Sequence, residues 1–325
     1  MKNTLYFVIP CYNEEEVLPE TAGRLKKKMA ALMENGKISA DSRVCFVNDG
    51  SKDRTWDLIR NFHREDPQLF SGINLSRNRG HQNALLAGLM TVRSCCDMAI
   101  SMDADLQDDI NVCDQMIEKY LAGCDIVYGV RSARKTDTPF KRMTAEGFYR
   151  LMNHMGANTV YNHADYRLMS RRALDGLSQF KEVNLFLRGI VPMIGFRTDV
   201  VYYERAERFA GESKYPLKKM IAFAIDGITS LSTEPIRMIT RVGILVFLVS
   251  IAILIYSVVR WAEGATVPGW TFLAVSIWAI GGLILLSVGV IGEYIGKIYL
   301  ESKARPRYLI ESFLDDKNGF ETREN

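Results

Sequence analysis

The sequence predicts an α/β domain with a doubly wound, mainly parallel sheet, followed by an amphipathic interfacial helix and two transmembrane helices. Three observations carry this. Apolar β-rich runs alternate with helix-period segments through the N-terminal two thirds, the pattern of strand–helix–strand crossovers. Those runs show little polar alternation, as strands covered on both faces do. Finally, Val242–Val259 and Trp270–Gly292 contain no charged residue.

The first strand is expected at TLYFVIP (4–10), with a helix over Glu14–Met33. RVCFVND (43–49) gives the second, with a helix over Asp53–His63, and SGINLS (71–76) the third, with a helix over Gln82–Arg93. DMAISMD (97–103) and DIVYGV (125–130) follow, separated by a helix over Ile110–Leu121. In YPLKKMIAFAIDGITSLS, apolar Leu217, Ile221, Ala224, Ile225 and Ile228 recur at helical spacing beside Lys218 and Lys219, which reads as a helix lying on a membrane surface. The two uncharged segments, 18 and 23 residues, reach about 27 and 34 Å at a helical rise of about 1.5 Å per residue, enough to cross a core about 30 Å thick. Arg237 and Arg241 precede the first and Lys297, Lys303, Arg305 and Arg307 follow the second, so the positive-inside rule puts both termini in the cytoplasm. The expected organisation is a cytosolic domain (1–212), an interfacial helix (213–234), a two-helix hairpin (235–300) and a cytosolic tail (301–325).

The composition of the 325 residues, 48% hydrophobic and 24% charged, excludes disorder and fibrous repeats. A net charge of +3 gives no argument for nucleic acid. The six cysteines, all within the first 124 residues, lack zinc-ligand spacing and read as reduced, buried thiols. MKNTLYFVIPCYNEEE does not read as a signal peptide, because its short apolar run is broken by Pro10 and followed by acids. The basic run Arg24, Lys26, Lys27 and Lys28 reads as a solvated helix face.

Ligands of such sheets bind beyond the C-terminal strand ends. That rule selects PCYNEEE, NDGSKD, SRNRGHQN and DADLQDD, each polar and turn-forming, as one shared site. In DADLQD (103–108), carboxylates two residues apart on a strand-to-loop turn suit a divalent cation, with Asp105 as direct ligand, Asp103 meeting nucleotide and metal, and Gln107 adding an amide oxygen. In NDGS, Ser51 can cap a helix starting near Lys52, and Asp49 can accept hydrogen bonds from a base or ribose. Asn13 can likewise cap a helix whose first turn holds Glu14, Glu15 and Glu16.

VIPCYNEEE, VNDGSKDRT, LSRNRGHQNALLAGL, SMDADLQD and ADYRLMSRRAL together resemble glycosyltransferase family 2, and within it the polyprenyl-phosphate glycosyltransferases such as bactoprenol glucosyltransferases and dolichol-phosphate mannose synthases. The resemblance implies a GT-A-like fold and transfer of a sugar, with inversion, from a nucleotide donor to undecaprenyl phosphate or another polyprenyl phosphate at the inner leaflet, with Mg2+ or Mn2+ as cofactor. It implies a nucleotide site of Pro10, Tyr12, Asn13, Glu14, Asp49, His81, Asp103 and Ala104, and a metal site of Asp103, Asp105 and Gln107. Asp105 and Asp165 would be catalytic, and Arg131, Arg167, Arg208 and Lys214 would meet phosphates. His81-Gln82 stands where many relatives carry other polar pairs. UDP-glucose is the expected donor, with UDP-GlcNAc, other UDP-sugars and GDP-mannose open, and a homo-oligomer, a tetramer included, fits the resemblance.

Asp165 would act as base on the acceptor or orient a cation or an arginine; an ion pair with Arg167 or Arg171 is the structural alternative. A phosphate monoester with a second pKa of about 6 is mostly dianionic near neutrality and needs little help from a base. Two alternatives are a processive polysaccharide synthase, whose QxxRW motif is met here only by SVVRW (257–261), and a non-catalytic membrane scaffold of the same fold.

Overall fold

A computed structural model describes residues 2–132, 163–204, 229, 232–263, 269–316 and 320–321. They divide into two compact units.

In the first unit the five expected strands form as β1 (Leu5–Cys11), β2 (Arg43–Asn48), β3 (Phe70–Leu75), β4 (Met98–Ser101) and β5 (Ile126–Arg131). The expected helices appear as α1 (Leu18–Glu34), α2 (Thr55–Glu65), α3 (His81–Val92) and α4 (Cys113–Leu121), the last preceded by a 3-10 turn at Ile110–Val112. Further strands are β6 (His163–Ser170), β7 (Thr198–Tyr203), β8 (Ile310–Leu314) and β9 (Phe320–Glu321), and two short helices are α5 (Arg171–Leu177) and α6 (Leu187–Met193).

The sheet runs β7-β5-β6-β4-β1-β2-β3-β8-β9. β4, β1, β2 and β3 pair in parallel, as do β5 and β7. β6 is inserted antiparallel between β4 and β5, and β8 adds antiparallel to β3. The sheet is therefore mixed rather than mainly parallel in its pairings, although β1–β5 and β7 all point the same way. Their C-terminal ends consequently share one edge.

Alternation along β1 shows why the sheet is covered on both sides. Leu5, Phe7 and Ile9 join a buried cluster with Leu18, Leu25 and Met29 of α1, Ile59 of α2 and Met116 of α4. Tyr6 and Val8 join a second with Ala84, Leu85 and Leu89 of α3, Leu174 of α5, Ile190 of α6 and Phe313 of β8. Gly88 lets α3 press onto the strands: a Cβ there would stand 2.4 Å from Val8 Cγ1 and 2.7 Å from Val47 Cγ2. Ser170 caps α5, accepting from Ala173 N at 3.0 Å.

The C-terminal segment, expected as a tail, instead completes this unit. Beyond the pairing of β8, the fully buried Asp315 side chain accepts from Tyr6 OH at 3.3 Å and pairs with Arg43 Nε at 3.9 Å. The basic run of α1 is a surface feature, as expected: Arg24 pairs with Glu20, Lys26 with Asp66 and Lys28 with Asp114. Five cysteines are buried and Cys95 is partly so, all as free thiols. Burial pushes Cys45, Cys96 and Cys113 up to about 12, so they stay protonated and unreactive.

The second unit contains α7 (Glu234–Ala262) and α8 (Trp270–Lys303). Both are long and apolar enough to cross a membrane, and none of either candidate span is buried. Leu245, Leu248, Ile255, Leu285 and Ile298 are exposed along them. Tyr294 OH donates to Ser232 O at 2.6 Å, joining α8 to the start of α7. The interfacial helix expected over 213–234 lies almost wholly outside the described residues.

Candidate active site

The loops after β1, β2 and β3 are laced together by backbone and side-chain hydrogen bonds. Asn13, at φ 54°, donates its amide to Ser51 Oγ at 3.0 Å and accepts from Lys52 N at 2.9 Å. Glu14 N donates to Thr55 Oγ1 at 2.9 Å. Neither expected cap forms: α1 begins at Leu18 and α2 at Thr55, leaving Asn13 and Ser51 to bind each other's loops. Pro10 lies within β1, and Tyr12 is 43% exposed just beyond it, an aromatic face open to a planar ligand.

Asp49 is buried, its two oxygens accepting from Arg79 N at 2.7 Å and Gly80 N at 2.9 Å. Burial raises its pKa, and these two amides counter that in part. Gly50 sits at φ +62°, and a Cβ there would be 2.5 Å from Asn78 N, so the second loop rests directly on the third.

His81 opens α3 where the acidic loop arrives from β4. Its Nε2 lies 3.5 Å from Asp103 Oδ1 and 3.6 Å from Asp165 Oδ2. Burial pulls its pKa down, but Asp165 and Asp103 outweigh that and raise it to about 8. Asp103 is itself pushed up to about 6, chiefly by burial; His81 lowers it, and Asp108, Asp165 and Asp105 raise it further. Within the loop, Leu106 takes φ 58°, Asp105 Oδ1 accepts from Gln107 N at 3.2 Å, and Ala104 O accepts from Thr21 Oγ1 of α1 at 2.8 Å.

Asp165, on β6, stands opposite. Its Oδ1 accepts from Arg167 Nη2 at 2.5 Å, and its Oδ2 from Arg188 Nη2 at 3.1 Å. Burial would raise its pKa, yet Arg188, His81 and Arg167 hold the carboxyl well below the usual range. Arg171, the other proposed partner, pairs with Asp97 instead.

The structure corrects one expectation. Arg167 is 1% exposed, donating behind Asp165 and toward Leu187 O at 3.5 Å, so it braces the carboxylate rather than facing a phosphate. Arg188, which no sequence motif marked, is the more open partner, with its side chain 32% exposed. It stands on α6, whose first amide, Leu187 N, donates to Gln82 Oε1 at 2.8 Å. Arg131 ends β5 at the same sheet edge. Arg208 and Lys214 lie outside the described residues.

The donor set suits a hard divalent cation. Asp103, Asp105 and Gln107 offer oxygens from one loop. Among the described residues no three His, Cys, Asp or Glu side chains form a ready-made cage. A cation here would draw the rest of its coordination from ligand and water.

Comparison with known proteins agrees with the sequence motifs. Residues 6–177 match the profile of Glycosyl transferase family 2. The uncharacterized glycosyltransferase YkoT of Bacillus subtilis (strain 168) is 53% identical over 307 residues, covering 94% of this chain and 91% of its own length. The bactoprenol glucosyl transferase of Shigella phage SfX is 42% identical over 310 residues, 94% of this chain and 98% of its own. Among solved structures, mannosyl-3-phosphoglycerate synthase from Rubrobacter xylanophilus aligns with a TM-score of 0.47 at 15% identity, over 74% of this chain and 75% of that one.

Proposed function

The chain belongs to glycosyl transferase family 2, and from that premise we propose that it moves one sugar from a nucleotide donor to a polyprenyl phosphate. The observation that carries this is the meeting of His81 after β3, Asp103 after β4 and Asp165 of β6, with Arg167 behind Asp165 and Arg188 beside it, while Asp49 ties the loop after β2 to the one after β3. The phage relatives, named for bactoprenol glucosyl transfer, support the acceptor class and a glucosyl donor, for which UDP-glucose is our choice.

The first two loops, with Tyr12 and Asp49, receive the base and ribose. Asp103, Asp105 and Gln107 would hold Mg2+ or Mn2+, which offsets charge on the departing diphosphate. An acceptor phosphate oxygen attacks the anomeric carbon as the bond to the diphosphate oxygen breaks, inverting that centre. Asp165 does not serve as the base. A carboxyl held well below its usual pKa is a weak proton acceptor, and the phosphate monoester, second pKa about 6, is already ionised near neutrality. Its charge instead aims Arg188 and His81 at the phosphates, where a planar guanidinium fork suits paired oxygens.

The two exposed apolar helices support residence in a bilayer, the compartment of such an acceptor. A processive synthase has less support, since SVVRW falls within α7 and lacks the Gln.

The test is to incubate the full chain in detergent with undecaprenyl phosphate, Mg2+ or Mn2+, and a panel of labelled UDP- and GDP-sugars, with Asp105→Ala beside it. One lipid-phosphate sugar, absent with the variant, is the expected result. Sugar appearing only in polymer, or no turnover of any donor, overturns the proposal.

A further inference from the structure

We infer that Asp108 and Tyr203 are positioning residues that fix the guanidinium of Arg131 toward the diphosphate of the donor, an inference that rests on the transferase reading above. Three groups from three elements close a triangle. Asp108 Oδ1 accepts from Tyr203 OH and, at 3.3 Å, from Arg131 Nη2, while Arg131 Nε donates to Tyr203 OH at 3.2 Å. Arg131 and Tyr203 are register partners at the ends of β5 and β7, and Asp108 comes from the acidic loop. The triangle is braced from behind. The Tyr203 ring meets Tyr166 edge-on at 5.5 Å, and Tyr166 OH donates to Asp109 O at 3.1 Å.

Asp108 is buried at a cost. Its side chain is 1% exposed, and its Oδ2 has no hydrogen-bond partner among the described residues. A buried carboxylate with one oxygen unsatisfied is costly. What the charge does achieve is geometric. Holding both Nε and Nη2 fixes the guanidinium plane, so Arg131 loses little side-chain freedom when it meets a ligand. Arg131 keeps 22% of its side chain exposed at the edge where Asp103 stands, and burial lowers its pKa but Tyr203, then Asp108 and Asp103, outweigh that and raise it. The residue thus stays cationic beside the acidic loop.

The experiment measures calorimetric binding of UDP and GDP, with Mn2+, to the full chain carrying Asp108→Asn, Tyr203→Phe, Arg131→Ala or both Asp108→Asn and Arg131→Ala. The first two substitutions preserve side-chain shape, and thermal melting is followed for every variant. About tenfold weaker binding is expected for Asp108→Asn and for Tyr203→Phe, with the double variant binding no more weakly than Arg131→Ala alone. Losses that multiply in the double variant, or lower melting temperatures with unchanged binding, overturn the inference. Failure of the unsubstituted chain to bind either diphosphate overturns the transferase reading itself, and is thereby distinguished.

Discussion

At the scale of single residues, the site is organised by one carboxylate held between cations. Asp165 draws Arg167, Arg188 and His81 together. Asp165→Asn is therefore expected to lower the His81 pKa from about 8, read from ring proton shifts in an NMR titration. The sign follows from linkage. The folded value lies above an ordinary histidine near about 6.5, so the pairing stabilises the fold fully below that pH and is lost as pH rises through about 8. An unchanged His81 titration in the variant would refute this account. Gly50 is a second test at this scale. A methyl group there meets the Arg77–Asn78 backbone and must also take φ +62°. Gly50→Ala is expected to cost at least about 1 kcal/mol in denaturant unfolding and to weaken nucleotide binding as the third loop shifts.

Among elements, the late strand β8 matters more than its five residues suggest. Phe313 is 4% exposed within the cluster that includes Tyr6, Ile73 and Leu75. Phe313→Ala should destabilise the first unit by about 3–5 kcal/mol, measured by chemical denaturation. Deleting everything after Arg305 should bare the edge of β3 and raise aggregation, measured by light scattering. The same strand shows where sequence reading reaches its limit. β1–β5 are legible because each is a short apolar run ending in turn-forming residues, and α1–α4 because each fills the gap between two of them. β6 is legible only as a motif, since HADYRLMS places Asp165 and Arg167 in a strand, where a charged pair hides the usual alternation. IESFL follows two long apolar helices and pairs with a strand more than two hundred positions earlier, a contact that no local pattern encodes. The site shows the same division. Its loops are visible as polar strand ends, whereas Arg188 and Tyr203 carry no motif and emerge only through what they touch.

For the whole molecule, connectivity constrains topology. β7 precedes the apolar helices and β8 follows them, and both belong to one sheet. If α7 and α8 span a bilayer, both ends of the pair must then lie on the side where that sheet folds. A cysteine introduced at Glu263, between the helices, should react in whole cells with a membrane-impermeant thiol reagent, and one at Glu311 only after permeabilisation. Equal labelling of both positions in intact cells would exclude a spanning hairpin.

The return of β8 to β3 also sets an order of manufacture. With 106 residues separating Tyr203 from Ile310, a ribosome adding about 5–20 residues per second needs on the order of 10 s to supply the closing strand. During that interval the nascent domain carries an open edge, and it cannot close until both apolar helices have left the exit tunnel. Maturation of the first unit is thus timed by delivery of the two apolar helices, and a chain stalled between them is unfinished in its oldest part.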